Sequence, residues 1–306
     1  MALKVIRPGM LTTIQDIGRW GRQESGVPVA GPMDWYSHRL ANRLVGNDER
    51  AALLEITLIG PELESDADTT CVVTGAEFDV TVNGVATETA TLFTLPAGGR
   101  LRFGTRRKGA RAVLGIRGGL DVPAVFGSRA TSVIARMGPL GGRPLMAGDM
   151  LPVGPSAMRT QSAGVPLRLP EGGARLRVLR GPHDAMFTPT AYEALLQSRF
   201  LVTPESNRMG YRLQGPPLTH RGAAEILSDA TPIGSLQVPG SGQPILLMAD
   251  RQTTGGYPKI ATVITADLPI AGQLAPGDWI EFQDCTRAQA IEALQALSAR
   301  LEGSAK

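Results

Sequence analysis

The sequence predicts a mainly β protein with a few short helices, on three observations. The 306 residues include 37 glycines and 23 prolines, and their scatter along the chain is typical of many turns between short strands. Runs with β-branched residues or alternating polarity recur between these turns. A similar Gly-containing turn followed by a strand-like run occurs at 95–104, 145–154 and 274–283, which indicates a barrel-like architecture.

The predicted strands fall into two sets. The first set lies in the N-terminal half, at 3–7, 52–58, 70–74, 78–82, 91–95, 100–104 and 111–116. Asn83-Gly84 between two of these runs predicts a two-residue hairpin. The basic triplet 106–108 lies beside two glycines and is predicted to be a solvated hairpin tip. The second set lies at 175–180, 199–203, 244–249, 260–264 and 278–283.

Helices are predicted at three places. Asp34 is positioned to cap a helix over 35–45, and Gly46 follows as its C-terminal residue. Residues 189–198 form the second helix. Thr286 resembles the first residue of a capping box for a C-terminal helix, with Gln289 as its partner. The apolar side chains of that helix share one face, at Ile291, Leu294, Leu297 and Leu301.

A domain boundary is predicted in the Pro- and Gly-rich segment 154–174, which has no periodic pattern. It divides the chain into two β units, 1–160 and 161–306, and the second unit carries the terminal helix. Faint similarities between the halves suggest related units, although short Gly/Pro matches also arise by chance.

Composition excludes several classes of protein. A hydrophobic content of 42% with 19% charged residues describes a globular protein. No apolar run reaches the roughly 20 residues that span a membrane, and the N-terminus has no signal-peptide core, so we expect a cytoplasmic protein. The net charge is only +3 with dispersed basic residues, which argues against nucleic-acid binding. Cys71 and Cys285 are predicted to be free thiols, and no metal-ligand spacing occurs, so no metal site is expected.

The most informative segment is a polar block between two apolar, strand-like runs. Polar loops on a rigid scaffold commonly display binding and catalytic groups. Lys259 stands out because only four of the 31 basic residues are lysine. Structural readings remain open: Lys259 as a surface lysine at a strand start, and Gly255-Gly256 present only for positive φ. The polar residues of the block are Asp250, Arg251, Gln252, Thr253, Thr254, Tyr257 and Lys259.

Two further polar segments are candidates for binding. The glycine-rich stretch 12–47 lacks any nucleotide-binding fingerprint, and a structural role explains it equally well. In the segment 205–218, paired arginines suit a carboxylate or phosphate ligand, and a buried ion-pair network is the equally economical reading. The candidates in these segments are Asp16, Arg19, Asn42, Asn207, Arg208 and Tyr211.

Three long motifs resemble the allophanate hydrolase subunit 2 family: TTIQDIGRWGRQESGVPVAGPMDWYSHRLANRLVGN, SNRMGYRL and GSLQVPGSGQPILLMADRQTTGGYPKIATVITADLP. The resemblance covers about residues 4–284. The family includes the C subunit of ATP-dependent 5-oxoprolinases, KipA regulators and half of the urea carboxylase carboxyltransferase domain. His183 departs from the family pattern, in which glutamine is more frequent. The resemblance implies two tandem cyclophilin-like β-barrel units with a few short helices.

The resemblance also implies an enzyme that is active only with partners: a B subunit, homologous to allophanate hydrolase subunit 1, and a LamB/YcsF-type A subunit. The reaction would convert 5-oxo-L-proline to L-glutamate, with ATP and Mg²⁺ shared between subunits. ATP would phosphorylate the amide oxygen and so make it a leaving group.

Roles for individual residues follow as expectations. Arg208 and Arg251 would hold carboxylate or phosphate. Lys259 would give electrostatic or proton-transfer help, and Asp250 would orient Lys259 or act as a base. The remaining substrate-binding candidates are Asn207, Tyr211, Gln237, Gln252, Thr253, Thr254 and Tyr257, with Asp16, Arg19 and Asn42 completing the site.

Two alternatives stay open. One is a biotin-dependent carboxyltransferase component that acts on urea or a related amide. No biotinyl segment occurs in the chain, so biotin would arrive on another chain. The other is a KipA-like, non-enzymatic regulator that sequesters a kinase inhibitor.

Overall fold

The computed structural model describes residues 1–156 and 162–303. It is mainly β, as predicted, and divides into two compact units, each of which takes a segment from the other half of the sequence. The first unit comprises Met1–Arg19, Ala30–Leu169 and Ser298–Lys306, and the second comprises Trp20–Val29 and Pro170–Leu297.

The first unit is built on one nine-stranded, curled sheet. Its main path runs β2-β3-β8-β4-β1-β9, and β5 joins through β8 and carries β6 and β7. All the pairings are antiparallel. The strands are β1 (Ala2–Arg7), β2 (Leu11–Gln15), β3 (Leu53–Thr57), β4 (Glu62–Ser65), β5 (Thr69–Val82), β6 (Val85–Thr87), β7 (Phe93–Leu95), β8 (Arg100–Ile116) and β9 (Met150–Pro152).

The long strands β5 and β8 confirm one turn prediction and correct another. Asn83 and Gly84 both have positive φ and join β5 to β6 in the predicted two-residue hairpin. The basic triplet 106–108 is not a hairpin tip, because it lies inside β8 opposite Glu77 and Phe78 of β5. The register between β5 and β8 is irregular here, and such bulges give the strands extra twist.

Helix α1 (Trp35–Val45) packs on this sheet and begins and ends as predicted. The Asp34 carboxylate accepts a hydrogen bond from the Ser37 backbone N–H at 2.9 Å, and Gly46 ends the helix with φ 76°. Its apolar side contributes Ala41 and Val45 to a cluster with Leu53, Val72 and Val113. A short turn, α2 (Pro139–Gly142), follows later in the chain.

The second unit is a closed seven-stranded barrel in the order β10-β17-β14-β15-β12-β11-β18. Strands β13 and β16 pair only with each other, outside the barrel. Helices α3 (Pro189–Gln197) and α4 (Leu268–Gly272) belong to this unit. The strands are β10 (Gly173–Arg180), β11 (Arg199–Val202), β12 (Gly210–Gln214), β13 (Asp229–Ala230), β14 (Ser235–Gln237), β15 (Ile245–Leu247), β16 (Thr254–Gly255), β17 (Lys259–Val263) and β18 (Trp279–Asp284).

Helix α5 (Arg287–Leu301) begins with the predicted capping box. The Thr286 N–H donates to Gln289 Oε1 at 2.8 Å, and the Gln289 N–H donates to Thr286 Oγ1 at 3.2 Å. Its predicted apolar face is not a buried face, since Leu301 alone is fully buried and Ile291 is 49% exposed.

Candidate functional site

The polar block lies in the second unit, between barrel strands β15 and β17, and is anchored by its first residues. The backbone N–H groups of Met248 and Asp250 donate to the carbonyls of Met209 and Arg208, at 2.9 and 2.8 Å. The loop before β12 and the polar block therefore form one bonded unit at the barrel. Arg208 and Asp250 strengthen this junction with their side chains.

Arg208 and Asp250 form a buried, two-point ion pair. Arg208 Nε lies 3.0 Å from Asp250 Oδ2, and Arg208 Nη2 lies 3.1 Å from Asp250 Oδ1. The two side chains are only 5% and 2% exposed. This is the ion-pair reading left open by the sequence, and it gives Arg208 a partner within the protein. Asp250 is correspondingly engaged with Arg208 and does not orient Lys259.

Lys259 is a buried residue of the barrel wall, so the reading as a surface lysine was wrong. It begins β17 and lies beside Gln237 in the ladder between β14 and β17. Its ammonium group donates to Asp229 Oδ2 at 2.7 Å and to the Ala230 carbonyl at 2.8 Å. The carboxylate that holds Lys259 is thus Asp229, which the sequence did not single out.

Arg251 is buried without a carboxylate partner among the described residues. Its Nε donates to the Thr231 carbonyl at 2.7 Å, and the residue is 7% exposed. Burial lowers the pKa of its guanidinium to about 10, because a cation in a low-dielectric surrounding loses hydration. A buried guanidinium without a carboxylate partner is chemically able to pair with an anionic ligand.

Gln237 supplies a free hydrogen-bond donor close to Lys259. Its Oε1 accepts from Gln252 Nε2 at 3.1 Å, whereas its Nε2 is buried and has no partner among the described residues. A Cβ at position 255 would lie 2.6 Å from Gln237 Nε2. A side chain at position 255 would therefore push the Gln237 amide from its place. Neither Gly255 nor Gly256 has positive φ, which excludes the purely conformational reading of the glycine pair.

His183 adjoins the same cluster. Its Nδ1 accepts a 3.3 Å hydrogen bond from the Lys259 backbone N–H, so the ring proton lies on Nε2. That nitrogen faces Asp229 Oδ2 at 4.0 Å. Burial and the Lys259 charge lower the pKa of His183, while Asp229 opposes this effect. Because this chain has His183 where glutamine was expected, a titratable ring lies beside Lys259.

The other predicted residues of the second unit have varied positions. The Thr253 carbonyl accepts from the Thr231 N–H at 3.1 Å, and Thr254 is exposed on β16. Tyr257 is 40% exposed. Asn207 accepts from the Met209 N–H and shapes the loop. Tyr211 is a core residue, with its hydroxyl 3.4 Å from the Leu274 carbonyl.

Asp16 and Arg19 belong to the first unit, where both are buried and engaged. Asp16 Oδ1 accepts from the Ser128 hydroxyl at 2.6 Å, and Oδ2 accepts from the Arg129 N–H at 2.5 Å. Arg19 donates to the carbonyls of Val125 and Ala130. These bonds fasten the loop at 125–130 to the end of β2, which is a structural role.

Asn42 is a fully buried structural residue of the first unit. Its Nδ2 donates to the Ala51 carbonyl at 3.0 Å, and its Oδ1 accepts from Asn47 Nδ2, also at 3.0 Å. It also lies 3.3 Å from Nε2 of His38. Burial lowers the pKa of His38 to about 4. These contacts tie helix α1 to the chain that follows it.

Residues 1–156 and 162–303 contain neither a metal-ligand cluster nor a membrane-spanning helix. In that part of the chain, no three His, Cys, Asp or Glu side chains are grouped as metal ligands would be. No helix there has the length and apolar character to cross a membrane.

The segment 229–231 unites the cluster and was missed by sequence reasoning. Asp229 and the Ala230 carbonyl hold Lys259, while the Thr231 carbonyl holds Arg251. The Thr231 hydroxyl also donates to the Gln252 carbonyl. Within the described residues, the arrangement offers two buried cations and an unpaired amide donor, which suits a small ligand with an anionic group and a carbonyl oxygen.

Comparison with known proteins shows the family of the chain. Residues 25–284 match the carboxyltransferase domain family, subdomains A and B. The 5-oxoprolinase C subunit of Escherichia coli K12 is 42% identical over 96% of this chain and 94% of its own length. The corresponding Haemophilus influenzae protein is 36% identical over 89% of this chain and 87% of its own length.

A solved structure extends the likeness to the fold. The crystal structure of Kluyveromyces lactis urea amidolyase superimposes on all of this chain with a TM-score of 0.92 and 32% identity. This chain spans only 20% of that protein. The likeness therefore concerns one part of a larger enzyme. On these matches, the chain belongs to the carboxyltransferase domain family, subdomains A and B, together with the 5-oxoprolinase C subunits.

Proposed function

We propose that this chain is the C subunit of an ATP-dependent 5-oxoprolinase, which converts 5-oxo-L-proline to L-glutamate together with A and B subunits. The observation that carries the proposal is the 42% identity to a 5-oxoprolinase C subunit over nearly the whole of both chains. The proposed partners are a B subunit, homologous to allophanate hydrolase subunit 1, and a LamB/YcsF-type A subunit.

The barrel site supports this choice of substrate. 5-Oxo-L-proline carries one carboxylate and one lactam carbonyl. Arg251 is a buried cation without a carboxylate partner in the described chain, so it suits the substrate carboxylate or a phosphate group. Gln237 Nε2 is a buried donor without a partner in the same part of the chain, so it suits the carbonyl oxygen. Both groups would gain interactions on binding.

ATP supplies the driving force for opening the lactam. The lactam nitrogen is delocalised into the carbonyl, and transfer of a phosphoryl group from ATP to the oxygen would weaken this delocalisation. Water would then add to the activated carbon, the C–N bond would break with protonation of the nitrogen, and the phosphoryl group would leave as inorganic phosphate. Buried cations such as Lys259 and Arg251 stabilise negative charge that grows on transfer, because a low-dielectric site strengthens their field. ATP, with Mg²⁺, is shared with the partner subunits in this proposal.

The test is 5-oxoproline-dependent ATP hydrolysis and glutamate release by the three purified subunits together. We expect activity to vanish when this chain is omitted. Arg251→Ala and Lys259→Met should each lower activity by at least about a hundredfold, the scale of one lost electrostatic contact to a transition state. Arg221→Ala removes an exposed cation from the same unit and serves as the control. A stable complex without 5-oxoproline turnover would contradict the proposal.

A carboxyltransferase role is the second candidate, favoured by the fold match to urea amidolyase over the whole chain. In that case biotin on a partner chain would deliver the carboxyl group to urea or a related amide. The same subunits would then show biotin-dependent carboxylation of urea and no 5-oxoproline-dependent ATP hydrolysis.

A further inference from the structure

The ion pair at Lys259 joins a fixed residue to one held on a small appendage. Lys259 lies in a barrel strand, and its side chain is 2% exposed. Asp229 lies on β13, which pairs only with the two-residue strand β16, and its side chain is 51% exposed. The cation is therefore buried in the wall of the barrel, whereas the anion can turn into solvent.

The short segment that holds Lys259 also binds the neighbouring cation, Arg251. Three consecutive residues, Asp229, Ala230 and Thr231, present oxygen atoms to Lys259 and Arg251. Oxygen atoms around two buried cations are what a bound carboxylate or phosphate would itself supply. Segment 229–231 thus imitates an anionic ligand.

We propose that Asp229 is a built-in competitor: a small carboxylate or phosphate binds Lys259 by displacing the Asp229 carboxylate into water. The inference rests on the proposed function for the location of the site and adds how ligands are selected there. A neutral ligand carries no negative charge to replace the Asp229 carboxylate, so Lys259 stays paired with Asp229 when such a ligand is present. Asp229 therefore acts as a specificity-determining residue for anionic ligands.

Displacement is physically feasible because little else holds Asp229. Its other hydrogen bond is to the adjacent Ala230 N–H, at 2.7 Å. A half-exposed carboxylate keeps most of its hydration when it leaves, so the competing ion pair is weak. Removal of the competitor should consequently tighten anion binding about two- to fivefold, the range of weak ion pairs, because Asp229 is half exposed even though Lys259 is buried.

His183 provides a direct reporter of the exchange. Its Nε2 faces Asp229 at 4.0 Å, and its Nδ1 is bonded to the Lys259 backbone. The chain has only three histidines, so its ring signal in an NMR spectrum is assigned with one His183→Gln variant. Departure of Asp229 changes the charge beside this ring and moves the signal.

The experiment titrates the isolated full-length chain with three probes: 5-oxo-L-proline, inorganic phosphate and the neutral lactam 2-pyrrolidone. Affinity and the His183 signal are measured for the wild type, Asp229→Asn and Asp184→Asn. Asp184 is a nearby carboxylate that pairs with Arg180, so its variant has the same net-charge change without touching Lys259. We expect Asp229→Asn alone to tighten anion binding, with 2-pyrrolidone unaffected.

Several results would overturn the inference. Anion affinity that is unchanged or weaker in Asp229→Asn shows that Asp229 does not compete. Equally tighter anion binding by Asp184→Asn shows a general effect of net charge. If neither the wild type nor Asp229→Asn binds an anion, there is no anion site at Lys259. If Asp229→Asn binds phosphate more tightly but not 5-oxoproline, the result supports the role of Asp229 as a competitor and counts against the proposed substrate. Turnover of 5-oxoproline by the three assembled subunits, together with unchanged anion affinity of the Asp229→Asn chain, supports the function and rejects the inference.

Discussion

Replacing Asp250 by asparagine should separate its structural role from any catalytic one. The variant keeps the size of the side chain but leaves the Arg208 guanidinium without its carboxylate, inside a site where both side chains are at most 5% exposed. Breaking a buried pair by removing one partner costs about 3–5 kcal/mol, since the remaining charge stays dehydrated. We expect the free energy of unfolding of the second unit to fall by that amount.

Urea denaturation measures this loss. In a chain with Trp35→Phe, the two remaining tryptophans, Trp20 and Trp279, both lie in the second unit and report its unfolding by fluorescence. With a slope of about 2 kcal/mol per molar urea, the unfolding midpoint should fall by about 1.5–2.5 M.

The matched control is Asp79→Asn, which removes the carboxylate of an exposed two-point pair. Asp79 binds Arg107 through bonds of 3.0 and 2.7 Å, and the side chains are 47% and 63% exposed. Followed by circular dichroism, this variant should lose only a small fraction of the stability that Asp250→Asn loses, because solvent screens an exposed pair. A similar cost for the two variants would refute the argument from burial, and a catalytic role for Asp250 would regain support.

Three further predictions follow from buried polar groups. The pKa of His38 is about 4 in the folded chain and near 6.5 in the unfolded chain, so the unfolded state binds more protons as pH falls. The free energy of unfolding should therefore drop by about 3 kcal/mol between pH 7 and pH 4. Urea denaturation of His38→Gln should show no such dependence. Gly255→Ala should displace the Gln237 amide and, under the proposed function, lower 5-oxoprolinase activity of the complex with its partners about tenfold, the cost of one lost hydrogen bond, whereas Gly256→Ala, with more room, should not. Asn42→Ala should lower the thermal midpoint, at a cost of about 2–3 kcal/mol for the orphaned groups, while kcat per folded molecule stays unchanged.

Much of the fold could be predicted because its signals are local. Asn83-Gly84, the cap at Asp34 and the capping box at Thr286 each depend on neighbouring residues, and all three are confirmed. The triplet 106–108 was misassigned because its flanking glycines resemble a turn. Pairing with β5, more than 25 residues away in the sequence, keeps these residues in a strand. Short strands such as β14 were missed since three residues carry too little pattern.

The site shows the same division between local and distant information. The polar block supplied Arg251 and Lys259, but their hydrogen-bond partners come from other segments. Asp229 is 30 residues before Lys259, and His183 is 76 residues before it. Nothing in the sequence around Asp229 distinguishes it from a surface carboxylate. Only the closed barrel brings these groups to one place.

The buried polar groups near Lys259 that lack partners among the described residues are the physical argument for a binding site in the barrel. Single buried atoms without a partner also occur in the first unit, as at Thr131 Oγ1. In the first unit, Asp16 and Asn42 are buried, and both polar side-chain atoms of each residue are hydrogen-bonded, as is usual for buried structural residues. In the barrel, Arg251 lacks a carboxylate and the Gln237 amide lacks an acceptor among the described residues. Such groups reduce stability unless a ligand completes them. The anionic carbonyl ligand of the proposed function would complete these groups, which lie near Lys259 within one loop and one short ladder.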